Sequence, residues 1–282
     1  MYSNKDVELY YDLSQTHYKR VWDLQRSRSL HYGYWDNTTK KFHEALLNIN
    51  KILSAIADIK KEHKVLDAGC GIGGSSLWLA KNIGCNVTGI SLSAKQVETA
   101  NKLALAENLQ ALAVFEQQDF TATNYEAESF DVIWAIESVC HANDKSKFIN
   151  EAYRLLKKGG RLILADFFKQ ENLSQKDAAL IKQWANGWAI DDFATIKNFT
   201  EQLNNARFHL TNIEDATTKI IPSAKRLYRA YFPGIVGGFL YKLFNPKPTV
   251  YGKKNIDTAY LQYKALKQHL WTYNIVLAVK KD

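Results

Sequence analysis

Hydrophobic and polar positions change period along the chain, and the changes mark out its elements. Phe42, Ala45, Leu46, Ile49, Leu53 and Ile56 recur every three or four residues and predict an amphipathic helix over 41–59. Short apolar runs then alternate with helical ones. The runs at 64–67, 86–90, 112–120, 129–136 and 162–168 predict strands, and 76–83, 93–106 and 147–156 predict helices between them. Strand and helix taken in turn predict an α/β fold, a doubly wound, Rossmann-like, mostly parallel sheet. Beyond 170, helical spacing at 174–187 and 195–205 precedes two alternating runs, 208–216 and 271–279. These are expected to pair antiparallel and complete a seven-stranded sheet. The first forty residues differ. Residues 7–24 have helical spacing, 29–36 have none and read as a loop, and aromatic rings are dense throughout.

The chemistry concentrates where the first strand ends. Val65-Leu66-Asp67-Ala68-Gly69-Cys70-Gly71-Ile72-Gly73-Gly74 runs from strand through a glycine turn into a helix. That layout presents backbone N–H groups and a positive helix end to a ligand. Gly69, Gly71 and Gly74 also fit the dinucleotide pattern G-x-G-x-x-G. Asp67 argues against a pyrophosphate there, because its charge would repel one. The second strand ends at Ser91 without the acid that holds an NAD ribose. A carboxylate at Asp67 suits a cationic ligand.

An acid followed by G-x-G-x-G resembles the first motif of the class I S-adenosylmethionine (SAM) methyltransferases, carried here by Asp67, Gly69, Gly71 and Gly73. Later stretches follow in the same order. Ser91-Leu92-Ser93-Ala94-Lys95-Gln96 resembles the tocopherol and cyclopropane-fatty-acid subgroup, which implies ribose bonding by Gln96 and packing of Leu92 on adenine. Asp119 and Phe120, ending the third strand, are implied to hold the adenine amino group and back its ring. Ala135-Ile136-Glu137-Ser138-Val139-Cys140-His141-Ala142 is similar to sterol C-methyltransferases, and Leu156-Lys157-Lys158-Gly159-Gly160-Arg161-Leu162 resembles the last motif of the class. The aromatic arm, Tyr10-Tyr11-Asp12 and then Leu30-His31-Tyr32-Gly33-Tyr34-Trp35, resembles arms that close over SAM and acceptor; this implies lid roles for Tyr11, Tyr32 and Trp35. The cofactor set expected from the resemblance is therefore Asp67, Gly69, Cys70, Gly71, Gly73, Ser91, Leu92, Gln96, Asp119, Phe120, Tyr11, Tyr32 and Ile136, holding SAM and releasing S-adenosylhomocysteine.

Two residues after the fourth strand are the catalytic candidates. Glu137 and His141 are four apart, which on a helical turn puts them on one face. A histidine is the natural base for a proton lost on methylation, and a buried glutamate can steady positive charge. Asp166, at the end of the fifth strand, either lines the acceptor side or caps the following loop. The expected reaction is methyl transfer to a small, lipophilic acceptor such as a sterol, isoprenoid, tocopherol-like or other natural product, on carbon or oxygen. Cyclopropane formation and phospho-base methylation are the alternatives within the class. An NAD-dependent oxidoreductase and a SAM- or lipid-binding module without turnover are the rivals outside it.

Composition narrows the setting. The chain has 282 residues, 46% hydrophobic, and reads as one domain: an arm over 1–40, a SAM-binding core over 41–170 and an acceptor region over 171–282. Its net charge of +8 is spread as isolated basic pairs, without the basic stripe of a nucleic-acid binder. Cys70, Cys85 and Cys140 are odd in number and lack metal-ligand spacing, so no metal and a reducing, cytoplasmic setting are expected. The N-terminus is polar, unlike a signal peptide. All four prolines, Pro222, Pro233, Pro246 and Pro248, fall in one region. The aromatic stretch 226–244 there is read as an acceptor-pocket wall, a membrane-surface contact or a dimer contact; monomer and homodimer both stay open.

Overall fold

The computed structural model of the chain describes the backbone of residues 2–21, 28–244 and 250–281, and side chains at 2–12, 28–233 and 257–281. In chain order the elements are α1 (Asn4–Val21), α2 (Phe42–Ile56), β1 (Lys64–Ala68), α3 (Gly74–Asn82), β2 (Asn86–Ser91), α4 (Ala94–Ala106), β3 (Ala113–Gln117), β4 (Phe130–Ile136), a 3₁₀ turn (Val139–His141), α5 (Lys145–Leu155), β5 (Leu156–Lys169), α6 (Gln175–Gly187), α7 (Ile196–Asn205), β6 (Phe208–Asp215), α8 (Thr217–Phe244), α9 (Val250–Lys267) and β7 (Trp271–Lys280).

The seven strands lie in the order β3-β2-β1-β4-β5-β7-β6. β7 runs antiparallel to both its neighbours, and the other pairings are parallel. The expected sheet is present, with its antiparallel last strand slotted between β5 and β6. Successive side chains of the central strands serve opposite faces. Val65, Trp134, Ile163 and Ile275 enter one core; Leu66, Ile133, Leu162 and Val276 enter the other. β4 is buried from Val132 to Ile136, as a strand covered on both sides should be.

Boundaries moved where capping or backbone geometry overrode periodicity. Asp58 takes a left-handed φ of 46° and closes α2 earlier than the apolar spacing predicts. Ser93, Asp144, Ser174 and Thr195 each cap the helix that follows by accepting a main-chain N–H. β5 starts at Leu156, six residues before the predicted strand, because the Lys-Lys-Gly-Gly turn is absorbed as a bulge with Gly159 at φ 71°. The stretch 226–244 lies within one continuous helix. Pro222 and Pro233 lie inside α8, whose described part packs on α9 through the stacked pair Tyr228–Tyr263. Among the described residues no helix is long and apolar enough to cross a membrane.

The order reverses beside β1, which has β2 on one side and β4 on the other. Open sheets bind ligands at such a switch point, outside the carboxyl ends of the strands. The Ser138 hydroxyl, just past β4, donates to the Ala68 carbonyl at 2.6 Å and ties the two strand ends together. The glycine turn and the Glu137–His141 segment are thereby brought to one crevice.

Candidate active site

That crevice holds a cavity of about 300 Å³, within the range of roughly 300–1,000 Å³ typical of small-molecule sites. Each strand end delivers residues to it: Asp67, Gly69, Cys70 and Gly71 from β1, Ser91, Leu92 and Gln96 from β2, Asp119 and Phe120 from β3, and Ile136, Glu137 and His141 from β4. Tyr11 of α1 closes it from above. Of the thirteen cofactor and two catalytic candidates named from the sequence, Gly73 and Tyr32 are absent from the wall, as are Trp35 and Asp166.

Gly73 supports the site from behind. It caps α3 with φ 86°, and a β-carbon there would lie 2.7 Å from the Phe115 ring, so it lets the helix start press against β3. Gly71 does face the cavity. Its φ is 54° and a β-carbon would meet no atom within 4 Å, so the missing side chain is space in the cavity. The turn presents fewer main-chain donors than its glycines suggest. The N–H groups of Gly69 and Cys70 both bond the Ile90 carbonyl, and that of Gly73 bonds the Cys70 carbonyl. The first-turn N–H groups of α3 at Gly74 and Ser75, which have no partner within the helix, are donors at the wall.

Asp67 is buried and accepts the Ser76 hydroxyl at 2.6 Å. Burial outweighs the hydrogen bonds from Ser76 and pushes its pKa up to about 7. A cation placed beside such a carboxyl would favour its charged form. The buried amide of Gln96 is oriented by Ser91, whose hydroxyl donates to Oε1 at 2.7 Å. The amide NH₂ is then the group offered to a ribose oxygen. Asp119 is already engaged. Oδ1 takes the N–H and hydroxyl of Thr121 at 2.8 and 2.7 Å, and Oδ2 takes the Asn4 amide at 2.6 Å. It caps its own turn and anchors the arm.

Glu137 and His141 do not share a helical face. Glu137 follows β4 with φ 50°, and the helical turn after it is only three residues long. Oε1 of Glu137 accepts the Tyr32 N–H at 2.7 Å and the Tyr273 hydroxyl at 2.9 Å. Burial nevertheless holds its carboxyl well above the usual range. The His141 ring lies 2.8 Å from Tyr11 Oη through Nε2. Burial, aided by the Lys145 ammonium, pushes its pKa down to about 4. Asp166 lies outside the cavity, accepting the N–H groups of Cys140 and Phe167 at 2.9 and 2.8 Å. It fixes the 3₁₀ turn on which His141 sits.

Two arm residues named from the sequence are core. Tyr32 is fully buried, packs on Phe167, Trp188 and Tyr273, and donates its hydroxyl to Gln262 at 2.9 Å. Its main-chain N–H, not its ring, reaches the site. The Trp35 indole donates to Ser223 at 2.9 Å, away from the cavity. Residues 226–233 do not line the cavity either; side chains at 234–244 lie outside the described residues. Asn4, Glu8, the segment 28–31, Asn143 and Lys147 line it without having been singled out. Within the arm motif only His31 carried a usable signal, a histidine among aromatic rings. Among the described residues no group of three or more His, Cys, Asp or Glu could hold a metal ion, and the three cysteines are free and buried.

SAM has a cationic sulfonium, a ribose and an adenine. A buried carboxyl at Asp67, an open glycine at Gly71, an oriented amide at Gln96 and an aromatic face at Phe120 fit those parts in the order of the strands. Comparison with known proteins bears on the family. A methyltransferase-domain profile matches residues 66–164. The chain is 32% identical over 197 residues to the 27-O-demethylrifamycin SV methyltransferase of Amycolatopsis mediterranei, covering 69% of this chain and 72% of that one. It is 29% identical over 230 residues to methyltransferase GfsG of Streptomyces halstedii, covering 81% of each. The mycolic acid cyclopropane synthase CmaA1, solved with S-adenosylhomocysteine, shares the fold at a TM-score of 0.81 and 17% identity, covering 98% of both chains. The domain match and the rifamycin relative together make this chain a member of the SAM-dependent small-molecule methyltransferase family.

Proposed function

We propose that the protein methylates a hydroxyl oxygen of a small, largely apolar acceptor. The observation that carries this reading is the Tyr11–His141 contact at 2.8 Å inside the cavity. SAM bound there supplies a sulfonium methyl group open to in-line displacement and leaves as S-adenosylhomocysteine. Asp67, the α3 start, Gln96 and Phe120 would hold it, and Asp119, whose Oδ2 also accepts the Asn4 amide, would accept from its adenine amino group. The arm excludes water.

His141 Nδ1 is buried without a hydrogen-bond partner, and a neutral ring that carries its proton there presents Nε2 as an acceptor for the Tyr11 hydroxyl. Tyr11 oxygen can then accept the acceptor's hydroxyl proton while His141 takes the tyrosine proton. A base near pKa 4 cannot generate an alkoxide beforehand. It suffices once the new C–O bond has formed, because a methylated oxonium is a strong acid. Proton loss is therefore late, and orientation carries most of the acceleration. Burial disfavours the charged form of Glu137, so it acts as a polar wall more than as a fixed charge. Its ionisation next to developing positive charge supports a second reading, methylation of an alkene carbon.

Incubation with methyl-labelled SAM and fractionated extracts tests the proposal. Labelled ethers are expected. Label on carbon alone selects the second reading. Stabilisation by NAD and not by SAM or S-adenosylhomocysteine in a thermal shift overturns both. Binding of SAM without any labelled product leaves a binding module.

A further inference from the structure

The segment 28–31 lies over the start of α3. A β-carbon on Gly74 would come within 2.4 Å of the Arg28 carbonyl, so the segment presses directly on the cofactor-side turn. Its other end is held by the Tyr32 N–H on Glu137. Arg28 is further tied by an ion pair to Glu107. Between these two fixings sits His31, 6% exposed and part of the cavity wall.

The bonding of His31 is one-sided. Nδ1 lies 2.9 Å from the Tyr32 carbonyl, which can only accept, so Nδ1 carries the proton. Burial pushes the pKa of the ring down to about 4, so the ring is neutral near pH 7 and Nε2 bears a lone pair. That Nε2 is buried and has no hydrogen-bond partner. A buried acceptor left unmet is costly, and such groups are rare without a function. His141 differs, because its Nε2 is already met by Tyr11.

We propose that His31 is a ligand-reading residue: its Nε2 accepts a hydrogen bond from an N–H or O–H group of the small molecule in the cavity. The proposal rests on the methyltransferase reading, under which the donor has two sources, the α-ammonium of the cofactor and a hydroxyl of the acceptor. The position against the α3 start makes the ammonium reachable; the position beside Glu137 makes the hydroxyl reachable. A ligand lacking a donor at this point leaves Nε2 unmet and is disfavoured, which gives the cavity a preference for polar-headed over purely hydrocarbon occupants.

The test compares wild type with His31→Phe and His31→Asn by calorimetry, using S-adenosylhomocysteine and 5′-methylthioadenosine, which lacks the amino-acid part. If the donor is the cofactor ammonium, His31→Phe weakens S-adenosylhomocysteine tenfold or more and leaves methylthioadenosine unchanged. If the donor belongs to the acceptor, both affinities hold, and labelled products from an extract incubated with methyl-labelled SAM fall tenfold or more. Unchanged affinities together with unchanged labelling overturn the proposal. Nitrogen-15 spectra of the wild-type histidines decide the matter if the variants do not fold. A bare Nε2 that shifts on adding S-adenosylhomocysteine or the extract supports it, and a protonated or unmoved Nε2 overturns it. Failure of the wild type to bind S-adenosylhomocysteine strikes the cofactor reading instead, and is separately visible.

Discussion

Tyr11 and His141 meet at 2.8 Å across 130 positions of sequence, one on the N-terminal helix and the other on the turn after β4. Each defines the other's role. The rings also meet edge-on, with centroids 5.4 Å apart at 60°, and both side chains line the cavity. If the two act as a unit, their removal is not additive. Tyr11→Phe and His141→Gln should each lower turnover by about 10²-fold or more, and the double variant should fall little further. Affinity for S-adenosylhomocysteine should change less than about threefold in His141→Gln. Independent, multiplying losses in kcat would dissolve the pair.

Asp67 makes cofactor binding depend on pH in a direction that follows from its burial. With its pKa at about 7, roughly half the carboxyls are protonated at neutral pH before a ligand binds. A sulfonium cation favours the ionised form, so binding releases a proton. The affinity for SAM should fall as pH drops from 8 to 6, by up to about tenfold per unit below 7, while uncharged-sulfur S-adenosylhomocysteine responds less. Asp67→Asn should abolish the difference in slope and bind SAM at least about tenfold more weakly. Parallel pH curves for the two ligands in the wild type would remove Asp67 from the sulfonium's surroundings.

The glycines of the turn separate into two kinds that substitution can tell apart. Gly73→Ala forces a left-handed alanine into the Phe115 ring, and strain plus overpacking should cost about 2–4 kcal/mol, read as a lower denaturation midpoint. Gly71→Ala carries the backbone strain alone, about 1–2 kcal/mol, but its methyl group enters the cavity. Its larger effect should be on cofactor affinity. Equal losses of stability in both variants would mean that Gly71 is walled in as closely as Gly73.

This distinction could not be read from the motif, where the two glycines stand at equal spacing. What separates them is Phe115 of β3 and Ala100 of α4, packed behind Gly73 and set by tertiary contacts that sequence periodicity does not report. The sheet itself was legible, because β1, β2 and β4 are short apolar runs set between helices with capping residues at their starts. The turn into β5 was not, since Lys-Lys-Gly-Gly has the chemistry of a turn whether or not the ladder continues across it. Tyr32 shows the limit for aromatic residues. A ring that could lid a sulfonium and a ring that fills a core look alike until Phe167, Trp188 and Tyr273 are seen around it. Asn4 and Asp119 meet across 115 positions, a distance no local pattern spans.

Glu137 offers a simpler discrimination. Its two recorded bonds are donated to Oε1 by Tyr32 N–H and Tyr273 hydroxyl, and an amide oxygen can accept both. Glu137→Gln should therefore fold, and at pH 8 should be at least as stable as the wild type, because it removes a carboxyl whose ionisation burial opposes. Turnover within about threefold of wild type would reduce Glu137 to a structural wall and remove support for carbon methylation. A loss of about 10²-fold with unchanged S-adenosylhomocysteine affinity would restore its charge-stabilising role.

The two buried histidines leave a signature in stability. His31 and His141 have pKa values near 4 in the folded chain, against 6.5 for an unperturbed histidine. Between those values the unfolded chain binds protons that the folded chain does not, so stability falls as pH drops from 6.5 to 4. The gap of about 2.5 pH units, at about 1.36 kcal/mol each, comes to roughly 3 kcal/mol per histidine. Asp67 and Asp166, raised to about 7 and about 6, act in the opposite sense. They hold protons in the folded chain that the unfolded chain has lost, and their contribution disappears as pH rises through those values. The wild-type profile is the sum of both and can be nearly flat, so the difference between proteins is the quantity to measure. The stability of His141→Gln relative to wild type should rise by roughly 3 kcal/mol as pH is lowered from 6.5 to 4 in denaturant titrations of the ligand-free protein. A difference that stays constant across that window would mean that the His141 imidazole charges as freely in the folded chain as in the unfolded one, and the buried, late-acting base would lose its physical footing.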